Sequence, residues 1–269
     1  MRVSRPYFGG NVTPGVKLIM KCTIIVFIIQ VFATKMNISQ VEDYFALKPR
    51  NAIENFWIWQ FFTHGFMHSV GSYWHIFFNM LSLYFFGHIV ERHYGTRKFY
   101  ICYITCMVIA AIVHSIDAYI YKSSGIPALG ASGAVMGILA ISACLLPDTI
   151  VYLMFAIPLR LRTLIWLLVS FELYNAIMHP NSSVSAAAHL GGIGAGYLFF
   201  RYGQRVMSWM DNLEMQMERQ DKKQQQKKYK NVRSKVDELL DKISDGGIHS
   251  LSEKEKDFLK KASKKYKDD

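Results

Sequence analysis

Six stretches of apolar residues recur along the chain, near 16–34, 74–90, 99–121, 131–157, 163–178 and 186–200, with few charges inside them. Most approach the ~20 residues with which a helix crosses the hydrocarbon core of a bilayer. The expectation is an all-α, polytopic membrane protein with six transmembrane helices. An apolar content of 51% fits a large soluble core as well as several spans, so the clustering carries this reading. The first run contains Lys21 and has no small-residue cleavage site before Lys35, which marks it as a retained span and not a signal peptide.

Basic residues alternate in step with the runs. Arg2, Arg5, Lys17 and Lys21 precede or begin the first, Arg92, Arg97 and Lys98 separate the second from the third, and Arg160 and Arg162 separate the fourth from the fifth. A highly basic tail follows the sixth. The opposite connections hold Lys35, Lys48 and Arg50, then Lys122, then no basic residue between Met178 and Ala188. By the positive-inside rule both termini are expected in the cytoplasm, with the chain in the cell (inner) membrane. The net charge of +11 then reflects topology and attraction to a lipid surface, so no nucleic acid is expected as a partner. Cys22, Cys102, Cys106 and Cys144 all fall within apolar runs and read as small apolar fillers.

Two regions differ from simple spans. "ENFWIWQFFTHGFMH" is rich in aromatic residues but too polar to cross, and is expected to lie half-submerged in the outer leaflet. From about Gly203 the chain becomes charged and glutamine-rich, which reads as a linker, and 206–269 is expected to form a cytosolic tail beside a membrane domain of 1–205. Within the tail Val236, Leu239, Leu240 and Ile243 share one helical face, Gly246 and Gly247 stop that helix, and Ser250 or Ser252 caps a second.

Polar side chains inside spans are costly and mark function by default. His75 and Asn79 lie four apart at the start of the second run, Ser132 opens the fourth and His189 opens the sixth. All three runs enter from the outside in the inferred topology, so the four side chains reach similar depth from three helices. Gly133 and Gly137 in the fourth run, with Gly192 and Gly196 in the sixth, favour close approach of those helices. That approach brings Ser132 within hydrogen-bond reach of His189, the arrangement that activates a weak hydroxyl nucleophile. His75 and Asn79 would then be donors to a developing oxyanion.

These residues resemble those of a family. "GASGAVMG" is similar to the GxSG motif of rhomboid intramembrane serine proteases, "AHLGGIGAG" to their histidine helix, "HIFFNM" to their second-helix HxxxN, "GHIVERHYG" to the end of that helix and "WQFFTHGFMH" to their submerged loop. The resemblance covers about 16–203. It implies a six-helix rhomboid-like bundle in which Ser132 is the nucleophile and His189 the general base of a dyad without an acidic third member. His75, Asn79 and the Ser132 backbone N–H would form the oxyanion site. The family cleaves transmembrane protein substrates through an acyl-enzyme, with no cofactor or metal. The chain departs from the common pattern at Met136, where many members carry a ring that stacks on the histidine. It also departs in the seven-residue step from His68 to His75 and at Gln60, which follows Trp59 where arginine is frequent.

Three other classes are weighed. A metal enzyme would use His64, His68 and His75, but no HExxH occurs and no carboxylate completes the set. A catalytically silent rhomboid-like protein that binds membrane helices would not require both Ser132 and His189. A transporter would want internal repeats, and none is evident. Glu172, in the fifth run, is assigned a structural role, lining the interior or bonding a neighbouring helix.

Overall fold

A computed structural model describes residues 12–38, 40–121, 127–153, 156–178 and 186–265. Arg2, Arg5 and Lys122, which entered the charge pattern, and residues 179–185 lie outside them. The chain divides into two compact units, 1–204 and 205–269.

Each apolar run contains a helix, the fourth only over part of its length: α1 (Pro14–Lys35), α5 (Tyr73–Tyr94), α6 (Thr96–Ile120), α7 (Ser132–Leu145), α8 (Leu161–Met178) and α9 (Ala186–Gly246). Among the described residues α1, α6 and α8 are long and apolar enough to cross a membrane, and α7 is apolar but short. Between α1 and α5 run three short helices, α2 (Gln40–Phe45), α3 (Pro49–Glu54) and α4 (Gln60–Thr63), then a 3-10 turn at His64–Phe66.

The interior is built around α7, ten of whose fourteen residues are buried. Ile138 and Ile141 pack in one core with Leu83 and Val90 of α5 and with Phe99, Tyr103 and Met107 of α6. Against this, Leu18, Ile25, Ile29 and Phe32 of α1 and Trp166, Phe171 and Ile177 of α8 are exposed, while Gln30, Asn79, Glu91, Ser142 and Glu172 are buried. Apolar outside and polar inside is the pattern of a bundle whose solvent is hydrocarbon.

One end of the bundle is tied by one carboxylate. Glu91, at the end of α5, accepts the N–H groups of Gly15 at 2.7 Å and Val16 at 2.9 Å and the hydroxyls of Thr13 and Thr96. It thus satisfies donors that the first turn of α1 leaves without intrahelical partners, and it joins α1, α5 and α6 at a point. Gly95 turns α5 into α6 with φ 82°, a backbone that glycine adopts without strain.

Two expectations need correction. The fourth apolar run is not one helix to residue 157: α7 ends at Leu145, and β1 (Ile150–Leu153) pairs antiparallel with β2 (Ile157–Arg160). Pro147 cannot continue a helix, and Thr149, Ile150 and Val151 are β-branched. Asp148 pairs with Arg162 at 3.0 Å beside this hairpin. Likewise the glutamine-rich stretch after Gly203 is helix, part of α9, because Lys, Gln, Glu, Arg and Met all have high helix propensity.

The second unit ends in a turn and a short helix. α9 stops at Gly246, a 3-10 turn covers Ile248–Ser250, and α10 (Glu253–Lys265) follows. Ser252 caps it: the Ser252 N–H and hydroxyl each donate to Glu255 at 2.7 Å, and the Glu255 N–H returns to the Ser252 hydroxyl. Leu239, Leu251 and Ala262 are buried.

Candidate active site

The approach of α7 and α9 is set by glycine. A Cβ on Gly192 would lie 2.0 Å from the Gly133 carbonyl oxygen, and one on Gly196 would lie 2.2 Å from that of Gly137. On its other side α7 meets α6 with the same economy, since a Cβ on Gly133 would fall 2.5 Å from Ala110 and one on Gly137 2.5 Å from Cys106. Helices this close put the first residue of α7 beside the first turn of α9. Ser132 Oγ is 2.8 Å from His189 Nε2.

The turn before Ser132 requires glycine for two reasons. Gly130 has φ 132°, and a Cβ there would sit 2.8 Å from Cε1 and 2.9 Å from Nε2 of His75, with Ser132 Oγ at 3.7 Å. The His75 ring therefore overhangs the Gly130 Cα. Asn79, one turn further along α5, donates from its amide to the His75 carbonyl at 3.0 Å and lies 3.3 Å from His68 Nε2.

His68 is a member of the site that the sequence reading left aside. It is fully buried, its ring centroid is 5.1 Å from that of His75, and its Nε2 accepts the Ala131 N–H at 3.4 Å. A nitrogen that accepts is unprotonated, so the ring proton of neutral His68 is on Nδ1. The backbone of His68 is held in turn by Gln30 of α1, whose amide donates to the His68 carbonyl at 3.0 Å and accepts its N–H at 2.9 Å. The signal for Gln30 was in the sequence, as an amide in the middle of an apolar run. His64 completes the frame: its carbonyl accepts the Gly130 N–H at 3.0 Å and its ring bonds the Gln60 carbonyl.

Gln60, standing where arginine was the frequent residue, is wholly buried. It accepts the Lys48 N–H at 3.0 Å and donates to the carbonyls of Asp43 and Tyr44, so it pins α4 to the turn between α2 and α3. Trp57 stacks on Trp59 at 5.6 Å.

The structure also brings a carboxylate to the pair. Glu172 Oε1 of α8 is 2.8 Å from His189 Nδ1, the ring nitrogen opposite the one that meets Ser132. The resemblance implied a dyad without an acidic third member, and the structure sets this carboxylate beside its histidine. Beside Ser132 a cavity of about 420 Å³ is bounded by α5, α7, β1 and α8, with Phe78, Phe86, Val135, Met136, Leu164 and Leu168 among its lining residues. Among the described residues no group of three or more His, Cys, Asp or Glu is gathered as a metal would require.

A helical membrane bundle with a serine and a histidine joined at the heads of two glycine-packed helices is the class that the fold and site define. The chain belongs to the rhomboid family: the rhomboid domain family matches residues 55–205. A second match, to a family of unknown function (DUF6576), covers residues 219–265. The RHOMBOID-like protein 12, mitochondrial, of Arabidopsis thaliana is 32% identical over 131 residues, which are 44% of this chain and 39% of that relative. The match thus spans well under half the length of the relative.

Proposed function

We propose that the chain is an intramembrane serine endopeptidase that hydrolyses peptide bonds in or next to transmembrane segments of other membrane proteins. The observation that carries this is the 2.8 Å contact of Ser132 Oγ with His189 Nε2 beside an apolar cavity. In the proposed reaction Ser132 Oγ attacks the scissile carbonyl carbon while its proton passes to His189 Nε2 and the carbonyl electrons move onto oxygen. His189 then gives that proton to the leaving amine, the C–N bond breaks and an acyl-enzyme remains. Water attacks the ester, again losing its proton to His189, and Ser132 leaves as the hydroxyl.

The oxyanion would be met by the Ser132 N–H, by His75 and by Asn79, in a site where preorganised donors are worth more than in water. Asn79 now spends its amide on the His75 carbonyl and His68, so that role requires it to exchange one of these bonds for the substrate oxygen. The proposed arrangement has six spans, with both termini on the cytoplasmic side of the cell (inner) membrane, 1–205 as the protease domain and 206–269 as a cytosolic tail.

Labelling by a serine-directed fluorophosphonate of the purified protein in detergent tests the reading. Wild type is expected to be labelled, with Ser132→Ala and His189→Ala both unlabelled and folded. A folded wild type that resists labelling and cleaves no membrane substrate would favour a silent helix-binding protein.

A further inference from the structure

We infer that Glu172 is a positioning residue for His189, one that fixes which ring nitrogen bears the proton and steadies the imidazolium formed when Ser132 attacks. The inference rests on the reading of Ser132 as nucleophile and adds a third member to its machinery.

The geometry is a relay of contacts through one ring. Ser132 Oγ meets Nε2 at 2.8 Å and Glu172 Oε1 meets Nδ1 at 2.8 Å. A serine hydroxyl both donates and accepts, so it does not by itself decide the tautomer of the histidine beside it. An ionised carboxylate only accepts. Facing Glu172, Nδ1 must carry the proton, which leaves the Nε2 lone pair directed at Ser132, as a general base requires.

The comparison with Glu91 argues that Glu172 is not there as structural glue. Glu91 receives four donors from Thr13, Gly15, Val16 and Thr96 and ties three helices with both oxygens engaged. Glu172 is just as enclosed, with its side chain 5% exposed, yet its Oε2 has no hydrogen-bond partner among the described residues. A buried carboxylate with one oxygen unmatched costs stability relative to an apolar or amide side chain of similar size. What offsets that cost is a cation, and the one chemistry here that makes a cation next to Oε1 is protonation of His189 during acyl transfer.

The setting in α8 points the same way. Only Leu161, Leu164 and Glu172 of this helix are buried. The first two lie in its first turn, so along the remainder the carboxylate is the buried residue, and its partner is the candidate base.

The test is steady-state cleavage of a transmembrane model substrate by the full chain in detergent, with thermal unfolding of each variant. For Glu172→Gln we expect kcat to fall by at least about tenfold with KM within about twofold of wild type and Tm unchanged or raised. Glu172→Asp should recover part of kcat. Wild-type kcat in Glu172→Gln would overturn the inference, as would a loss of kcat that follows a fall in Tm and is not recovered by Asp. In those cases active wild type and inactive Ser132→Ala would leave the protease reading standing. Inactive and unlabelled wild type would overturn both.

Discussion

Gly192 faces Gly133 so closely that a Cβ on the first would sit 2.0 Å from the carbonyl oxygen of the second. The obstacle is backbone, which cannot turn aside as a side-chain end would. Gly192→Ala should therefore separate α7 from α9 at the level of Ser132 and His189. We expect a loss of about 1–3 kcal/mol in stability, the usual cost of overpacking, with fluorophosphonate labelling lost in molecules that still fold. Gly194→Ala, where the added Cβ meets nothing within 4 Å, should leave labelling and Tm at wild-type values.

Gln30 makes two reciprocal bonds to the backbone of His68, and His68 in turn accepts from the residue before Ser132. Gln30→Leu keeps an apolar filler but strands a buried N–H and C=O. The expected cost is about 1–3 kcal/mol per stranded group, seen as a lower Tm, and a slower rate of Ser132 labelling from a loosened turn.

α8 holds to the bundle at few points, with Trp166 68% and Phe171 58% exposed. We expect it to act as the side entrance for membrane substrates. Trp166→Ala and Phe171→Ala should hold or raise turnover of a transmembrane substrate. A completed crosslink between α8 and α5 should stop that turnover; if cleavage continues at full rate, entry is elsewhere.

In the tail, the Ser252 N–H and hydroxyl and the Lys242 ammonium hold the Glu255 carboxyl down to about pKa 2. Its folded value is below the ordinary carboxylate value of about 4.3, so its contribution to the turn between α9 and α10 is complete above that pH and is lost as pH falls towards 2. Amide spectra of the full chain in detergent should show Gly247 and Ser252 unchanged from pH 7 to 4 and shifting as pH falls towards 2. In Glu255→Gln that acid transition should be absent.

The contact of Ser132 with His189 was legible because each is a polar side chain at the edge of an apolar run, and the glycines announced which helices touch. Glu172 was visible by the same rule, but its partner was not. Which neighbour it meets depends on how α8 is rotated about its axis, and with almost no small or buried residues along that helix, spacing gave no face. His68 and Gln30 escaped for a different reason: their bonds run from a loop backbone to a distant helix, and no periodicity encodes that pairing. The end of α7 was misread because Ile150 to Leu153 continue the apolar run, although Pro147 and Asp148 mark a break. The charged stretch after Gly203 was read by its polarity when its Lys, Gln and Glu content speaks for helix.

The match to the rhomboid domain family begins at residue 55, after α1 has ended. The bonds of Gln30 and Glu91 show that this boundary is not a seam. Through Gln30 the first helix steadies the loop that borders Ser132, and through Glu91 its first turn is fastened to the ends of α5 and α6. A protein cut at residue 55 would keep every residue that gives the family its signature and lose two of the clamps that hold the site in shape. The portable unit is therefore larger than the recognisable one, and exchange of parts between relatives should succeed only when α1 travels with the rest.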